Sequence, residues 1–144
     1  MTEDEIVARL VAHRKATYDT IHEIVATGTV AAGALLALRA IGYWDEPRSV
    51  EVALAIAPDP TRDRMVRDEA ICALCQLEAP EAIDILCAAM TDPEVHETVP
   101  WVCATALGNI GNTAALPALE AVSKAHPRGD LGSRARGAIE TIRG

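Results

Sequence analysis

The sequence predicts an all-α fold: a short right-handed α-solenoid of stacked helical pairs, closed at its ends by helical caps. Three observations carry that expectation. Half of the 144 residues are hydrophobic, yet only 3% are aromatic and Phe is absent, so the core has to be built from Ala, Leu, Ile and Val. Ala and Leu are strong helix formers, while the β-branched residues are scattered rather than gathered into strand-like runs. Finally, four segments align with one another without gaps, which is how a repeat architecture announces itself.

Along the chain, residues 1–29 match the repeat poorly. Ile6, Leu10, Ile21, Ile24 and Val25 have helical spacing, and Thr2 or Glu3 can start a capped helix. This region reads as an N-terminal helical cap, either one long helix or a degenerate helix pair bent near residues 17–19. The aligned copies follow: 30–41 (VAAGALLALRAI), 66–77 (VRDEAICALCQL), 99–110 (VPWVCATALGNI) and 131–142 (LGSRARGAIETI), at offsets of 36, 33 and 32 residues. Their fifth positions are Ala34, Ala70, Cys103 and Ala135, and their eighth are Ala37, Ala73, Ala106 and Ala138. The ninth are Leu38, Leu74, Leu107 and Ile139, and the twelfth are Ile41, Leu77, Ile110 and Ile142. With the first position, these fall on one side of a helix of 3.6 residues per turn. The small side chains let a second helix approach closely, and the larger ones fill the space around them.

Gly42 and Gly111 stand just after the first and third copies, where a helix commonly ends on a left-handed residue. A second apolar segment then follows each of the first three copies, at about 47–57, 80–90 and 113–124. Two of these open with Pro, which suits a first helical turn because the N–H it lacks has no intrahelical partner there. Asp59-Pro60 and Asp92-Pro93 close the first two pairs, each Asp seven residues before the next Val. The last copy has no second helix and closes the array. The expected organisation is thus one domain over 1–144, with a cap at 1–29, three helical pairs over 30–130 and a capping helix at 131–144.

The pattern Val-Arg-x-x-Ala-x-x-Ala-Leu-x-x-Leu at 66–77, a turn, and Ala-Ile-x-x-Leu at 82–86 resembles the HEAT-like repeat family. The resemblance is greatest to its short bacterial form named after phycobilisome lyases. Residues 108–119 (GNIGNTAALPAL) are similar to that family's turn and second helix, and the resemblance covers most of the chain, from 30 to 142. It implies a solenoid whose second helices line the concave side. The family spans enzymes, chaperone-like factors and scaffolds, so fold alone does not choose among them.

Catalytic readings find little footing. Deoxyhypusine hydroxylase, a HEAT-like enzyme, binds iron through His-Glu dyads two and three positions after the repeat's Val. Here those slots hold Ala32-Gly33, Asp68-Glu69, Trp101-Val102 and Ser133-Arg134, whereas His22-Glu23 and His96-Glu97 lie out of register. Cys72-x-x-Cys75 puts two thiols on one helix face, with Cys87 and Cys103 on other helices, a poor spacing for structural zinc. Cys103 stands where other copies have Ala and reads as a small buried thiol. There is no Gly-x-Ser-x-Gly and no glycine-rich phosphate loop. The expectation is a non-enzymatic chain with no catalytic residue, metal or cofactor.

Thirteen basic against 21 acidic residues, a net charge of −8, argue against a nucleic-acid partner, and no apolar run is long enough to span a membrane. The amino terminus lacks the basic and apolar regions of a secretory signal, so a cytoplasmic protein with reduced thiols is expected. What the sequence favours is a protein–protein interaction module or scaffold, its partner unspecified and self-association allowed. The alternatives are an accessory subunit of a lyase or metal-dependent modification system and, less favoured by charge, a nucleic-acid binder. Tyr43 and Trp44 lie in a turn three residues longer than its counterparts, as a contact point or as a plug over the Ala-rich helices. Trp101 is a further aromatic candidate. Arg48, Glu51, Glu81, Asp84 and Glu120, with Lys124, are placed on the second-helix, partner-facing side.

Overall fold

The computed structural model describes residues 2, 4–6, 8, 9, 12, 13, 15, 16, 19, 22, 23 and 47–144. The first copy at 30–41, Gly42 and the Tyr43-Trp44 turn lie outside the described residues, as does the region in which a bend near 17–19 would be judged. From Asp4 to Glu23 every described residue is helical. Thr2 begins this stretch with a reciprocal cap: its Oγ1 accepts from the Glu5 N–H at 3.2 Å, and its own N–H donates to Glu5 Oε2 at 2.9 Å.

Among the described residues six further helices follow: α1 (Pro47–Ile56), α2 (Arg64–Gln76), α3 (Ile83–Ala89), α4 (Val99–Ile110), α5 (Leu116–Ala125) and α6 (Asp130–Arg143). No strand occurs among the described residues. In the repeat's terms, α2, α4 and α6 are first helices, and α1, α3 and α5 are second helices. First helices pack on one another in order, α2 on α4 and α4 on α6, while α1 packs on α2, α3 on α4 and α5 on α6. Each helix therefore buries its apolar side against its neighbours in an all-α solenoid.

The fifth, eighth and ninth slots are buried in every described copy, while the twelfth slot and Leu131 are half-buried against the core. Val66, Ala70, Ala73 and Leu74 on α2, Val99, Cys103, Ala106 and Leu107 on α4, and Ala135, Ala138 and Ile139 on α6 are all in the core. The largest fully buried side chains are Leu74, Leu86, Leu107 and Leu119, so the core is aliphatic, as the composition requires. Small residues set the spacing. A Cβ added at Gly108 would stand 2.9 Å from Ala138 Cα, which brings α4 and α6 into backbone contact.

Two features of the turns refine the sequence reading. The second helices of the later pairs do not start as α-helix at Pro80 and Thr113. Each is entered through a 3₁₀ turn, Pro80–Ala82 and Thr113–Ala115, closed by bonds from Ala82 N to Ala79 O (3.0 Å) and from Ala115 N to Asn112 O (3.1 Å). Asn112 also accepts from the Ala114 N–H at 2.9 Å. Both Asp-Pro turns are fastened by the aspartate. Asp59 Oδ1 accepts from the Thr61 N–H and hydroxyl at 2.9 and 2.7 Å, and Asp92 Oδ1 accepts from the Glu94 N–H at 2.9 Å. The Thr61 hydroxyl, and then its N–H, hold the Asp59 carboxyl below its ordinary value.

Candidate partner-binding site

Stacking the second pair on the first opens a cleft of about 340 Å³ between the end of α1, the start of α2 and the exposed side of α3. Ile71 and Ala89 are buried beneath it, and half-buried Ile85 and exposed Ala88 bring apolar surface to its mouth. Its charge comes from Arg64, Arg67, Asp84 and Asp92. Arg67 is the Arg of the Val-Arg pair that opens the copy. Its Nε donates to the Ala57 carbonyl at 3.1 Å, satisfying a carbonyl just past the end of α1. Arg64 is held more fully, with Nε 2.8 Å from Asp68 Oδ1 and Nη1 3.3 Å from Asp92 Oδ2.

Asp68 occupies the slot where a hydroxylase-type dyad would start, and it is buried. Both of its oxygens are engaged: Oδ1 by Arg64, and Oδ2 by the His96 N–H at 3.0 Å. The carboxylate ties α2 to the turn that precedes α4, so the acidic residue in the dyad slot is a structural bridge. A second cleft of about 310 Å³ lies beside it, lined by Met65, Asp68, Glu69, Cys72, His96, Thr98 and Val99. His96 Nδ1 is 2.9 Å from the Thr98 hydroxyl. Among the described residues, no three His, Cys, Asp or Glu side chains converge on a point where a metal could sit.

The structure distributes the sequence candidates unevenly. Asp84 lines the larger cleft, and Glu51 is exposed on α1. Glu81 stands in the 3₁₀ turn before α3 rather than on the helix. Arg48 pairs with Asp19 at 2.5 Å, and this bond holds the Asp19 carboxyl below its ordinary value. Glu120 pairs with Arg143 of α6. Trp101 is half-buried, and the Arg134 guanidinium lies over its ring 5.8 Å from the centroid while donating to Thr105 Oγ1 at 3.2 Å. The last helix thus screens one face of Trp101 and leaves the residue half-buried. Arg67, Ile85 and Ala88 were not singled out by sequence, although the Val-Arg signature marks the first of them.

No helix among the described residues is long and apolar enough to cross a membrane. No curated protein matches the sequence. Among solved structures, human deoxyhypusine hydroxylase in complex with glycerol has a TM-score of 0.66 at 20% identity, over 88% of this chain and 43% of that one. The chain therefore spans less than half of that structure, and at this identity the likeness is one of fold. A family model for HEAT repeats matches twice, over residues 19–98 and 61–140, without singling out the phycobilisome-lyase form. Together with the stacked first and second helices, those matches establish that the chain belongs to the HEAT-repeat family.

Proposed function

We propose that this chain is a non-catalytic scaffold that holds a segment of a protein partner in the cleft between α1 and α3. The observation that carries this reading is the cleft itself: an apolar floor of Ile71 and Ala89, Ile85 and Ala88 at its mouth, and Arg67 and Asp84 at its edges. Solenoids of stacked helical pairs use such inter-repeat surfaces to bind partners. An apolar trough edged by Arg67 and Asp84, with Arg64 and Asp92 paired to each other, suits a peptide segment with a matching side-chain pair. Asp68, the acidic residue in the dyad slot, supports the scaffold over a catalyst, because both of its oxygens already serve the fold. Glu51 and Glu81 extend the proposed face, and Tyr43 and Trp44, which lie outside the described residues, are proposed as further partner contacts. The reading goes with a single repeat domain over 1–144, capped at 1–29 and 131–144, acting in the cytoplasm.

The test places a photo-crosslinking residue at Asp84, in the cleft, and in a separate variant at Glu140, exposed on α6, in the native cell. The expected result is one protein crosslinked from position 84 and not from 140, and lost when Ala88→Arg fills the cleft without changing the melting temperature. The same products from both positions, or crosslinking unaffected by Ala88→Arg, would overturn the proposal.

A further inference from the structure

The interface between the second and third pairs gathers sulfur. Cys75 on α2 and Cys103 on α4 are 5% and 0% exposed, and their Sγ atoms are 3.8 Å apart in a thiol–thiol contact. Cys72 lies one helical turn before Cys75, half-buried, on the wall of the 310 Å³ cleft that also holds His96. Cys87 on α3 is half-buried and within electrostatic reach of Cys103. One thiol thus faces a cleft, and two in contact lie behind it on helices of different repeats. A disulfide has its sulfurs about 2.05 Å apart, so the buried pair has less than about 2 Å to close.

We propose that Cys75 and Cys103 form an oxidation site, at which a hydroperoxide entering through the Cys72 cleft converts the dithiol into a disulfide that staples adjacent repeats. The Cys72 thiolate attacks the peroxide, the O–O bond breaks, and Cys72 becomes a sulfenic acid while the other oxygen leaves and is protonated to water or an alcohol. The Cys75 sulfur then attacks the Cys72 sulfur, forming the Cys72–Cys75 bond and expelling a water. That bond links neighbours on one helix, whose Cβ atoms stand about 5–6 Å apart, wider than an unstrained disulfide allows. Cys103 resolves the strain by attacking Cys75, which releases Cys72 as a thiol. In total two thiols lose two electrons and two protons, and one hydroperoxide is reduced by the same two electrons. The contact with Cys103, and then burial, push the Cys75 thiol above its ordinary value, so the second step quickens as pH rises.

The test exposes the full chain to hydrogen peroxide, blocks remaining thiols by alkylation, and maps disulfides by mass spectrometry. The expected product is a Cys75–Cys103 linked peptide with two thiols lost per chain. Its melting temperature should rise by several degrees and fall back on reduction with dithiothreitol. Cys72→Ser should slow the linkage at least tenfold without changing the melting temperature of the reduced protein. Cys103→Ala, which installs the residue that other copies carry in that slot, should stop the reaction at Cys72–Cys75. Sulfinic acid or intermolecular disulfides in place of the Cys75–Cys103 peptide would overturn the site. An unchanged rate in Cys72→Ser would overturn the relay.

Discussion

Glu78 shows how a single residue can take a position that its chemistry disfavours. It follows the second copy as Gly111 follows the third, and both are left-handed, with φ of 49° and 74°. After α2, the Glu78 N–H donates to Cys75 O at 3.1 Å and the Ala79 N–H to Leu74 O at 3.2 Å, the paired bonds that close a helix through a left-handed residue. Glycine enters this region without a Cβ penalty, whereas Glu pays roughly 1–2 kcal/mol. Its carboxylate recovers a little by accepting from Asn109 Nδ2 at 3.3 Å. Glu78→Gly should therefore stabilise the protein by about 0.5–1 kcal/mol after glycine's extra chain entropy is subtracted. Denaturant midpoints would show it, and a lower midpoint would mean that the Asn109 contact outweighs the strain. Gly111 was legible in the sequence for its conformational freedom; Glu78 was not, because only geometry shows that the same turn recurs without a glycine.

At the scale of the helix, the repeat slots decide what substitution does. Ala106 occupies a position that is Ala in all four copies and is 4% exposed, on the helix that Gly108 brings against α6. Ala106→Leu forces three carbons into a buried slot and should cost about 1–3 kcal/mol. Thr105, one residue earlier, is exposed, and its hydroxyl accepts from Arg134 and donates to the Trp101 carbonyl. Thr105→Leu loses only these exposed bonds, so its cost should stay below about 1 kcal/mol. Equal losses of midpoint in the two variants would show that the register on α4 is wrong. This register was readable because slots 1, 5, 8, 9 and 12 return in each copy. The 3₁₀ entrances to α3 and α5 were not, since Pro80 and Thr113 suit the first turn of either helix type.

For the whole molecule, stability is a sum of neighbour contacts, and the ends carry the asymmetry. Helix α6 packs on both α4 and α5 and turns Arg136, Glu140 and Thr141 to solvent, a polar outer face that suits the capping role proposed for 131–144. Deleting residues 131–144 should expose the apolar sides of α4 and α5, lower the melting temperature strongly and promote aggregation. A monomeric truncation that melts like the full chain would contradict this role. The helical architecture was legible from the sequence because the repeat encodes it several times over. The cleft was not, because Ala57 and Pro58 at the end of the first pair meet Arg67, Ile85 and Ala88 only when the second pair is stacked on the first.

The placing of Arg134 over Trp101 gives the molecule an optical reporter of the contact between α4 and α6. Indole emission shifts with the charge and water around the ring, and this ring lies on α4 beneath a cation carried by α6. The chain has only two tryptophans, so replacing Trp44 with Phe leaves Trp101 as the one emitter. Parting of the last helix from its neighbour takes the guanidinium away and wets the indole, a change of colour that follows the fraying of the array from one end.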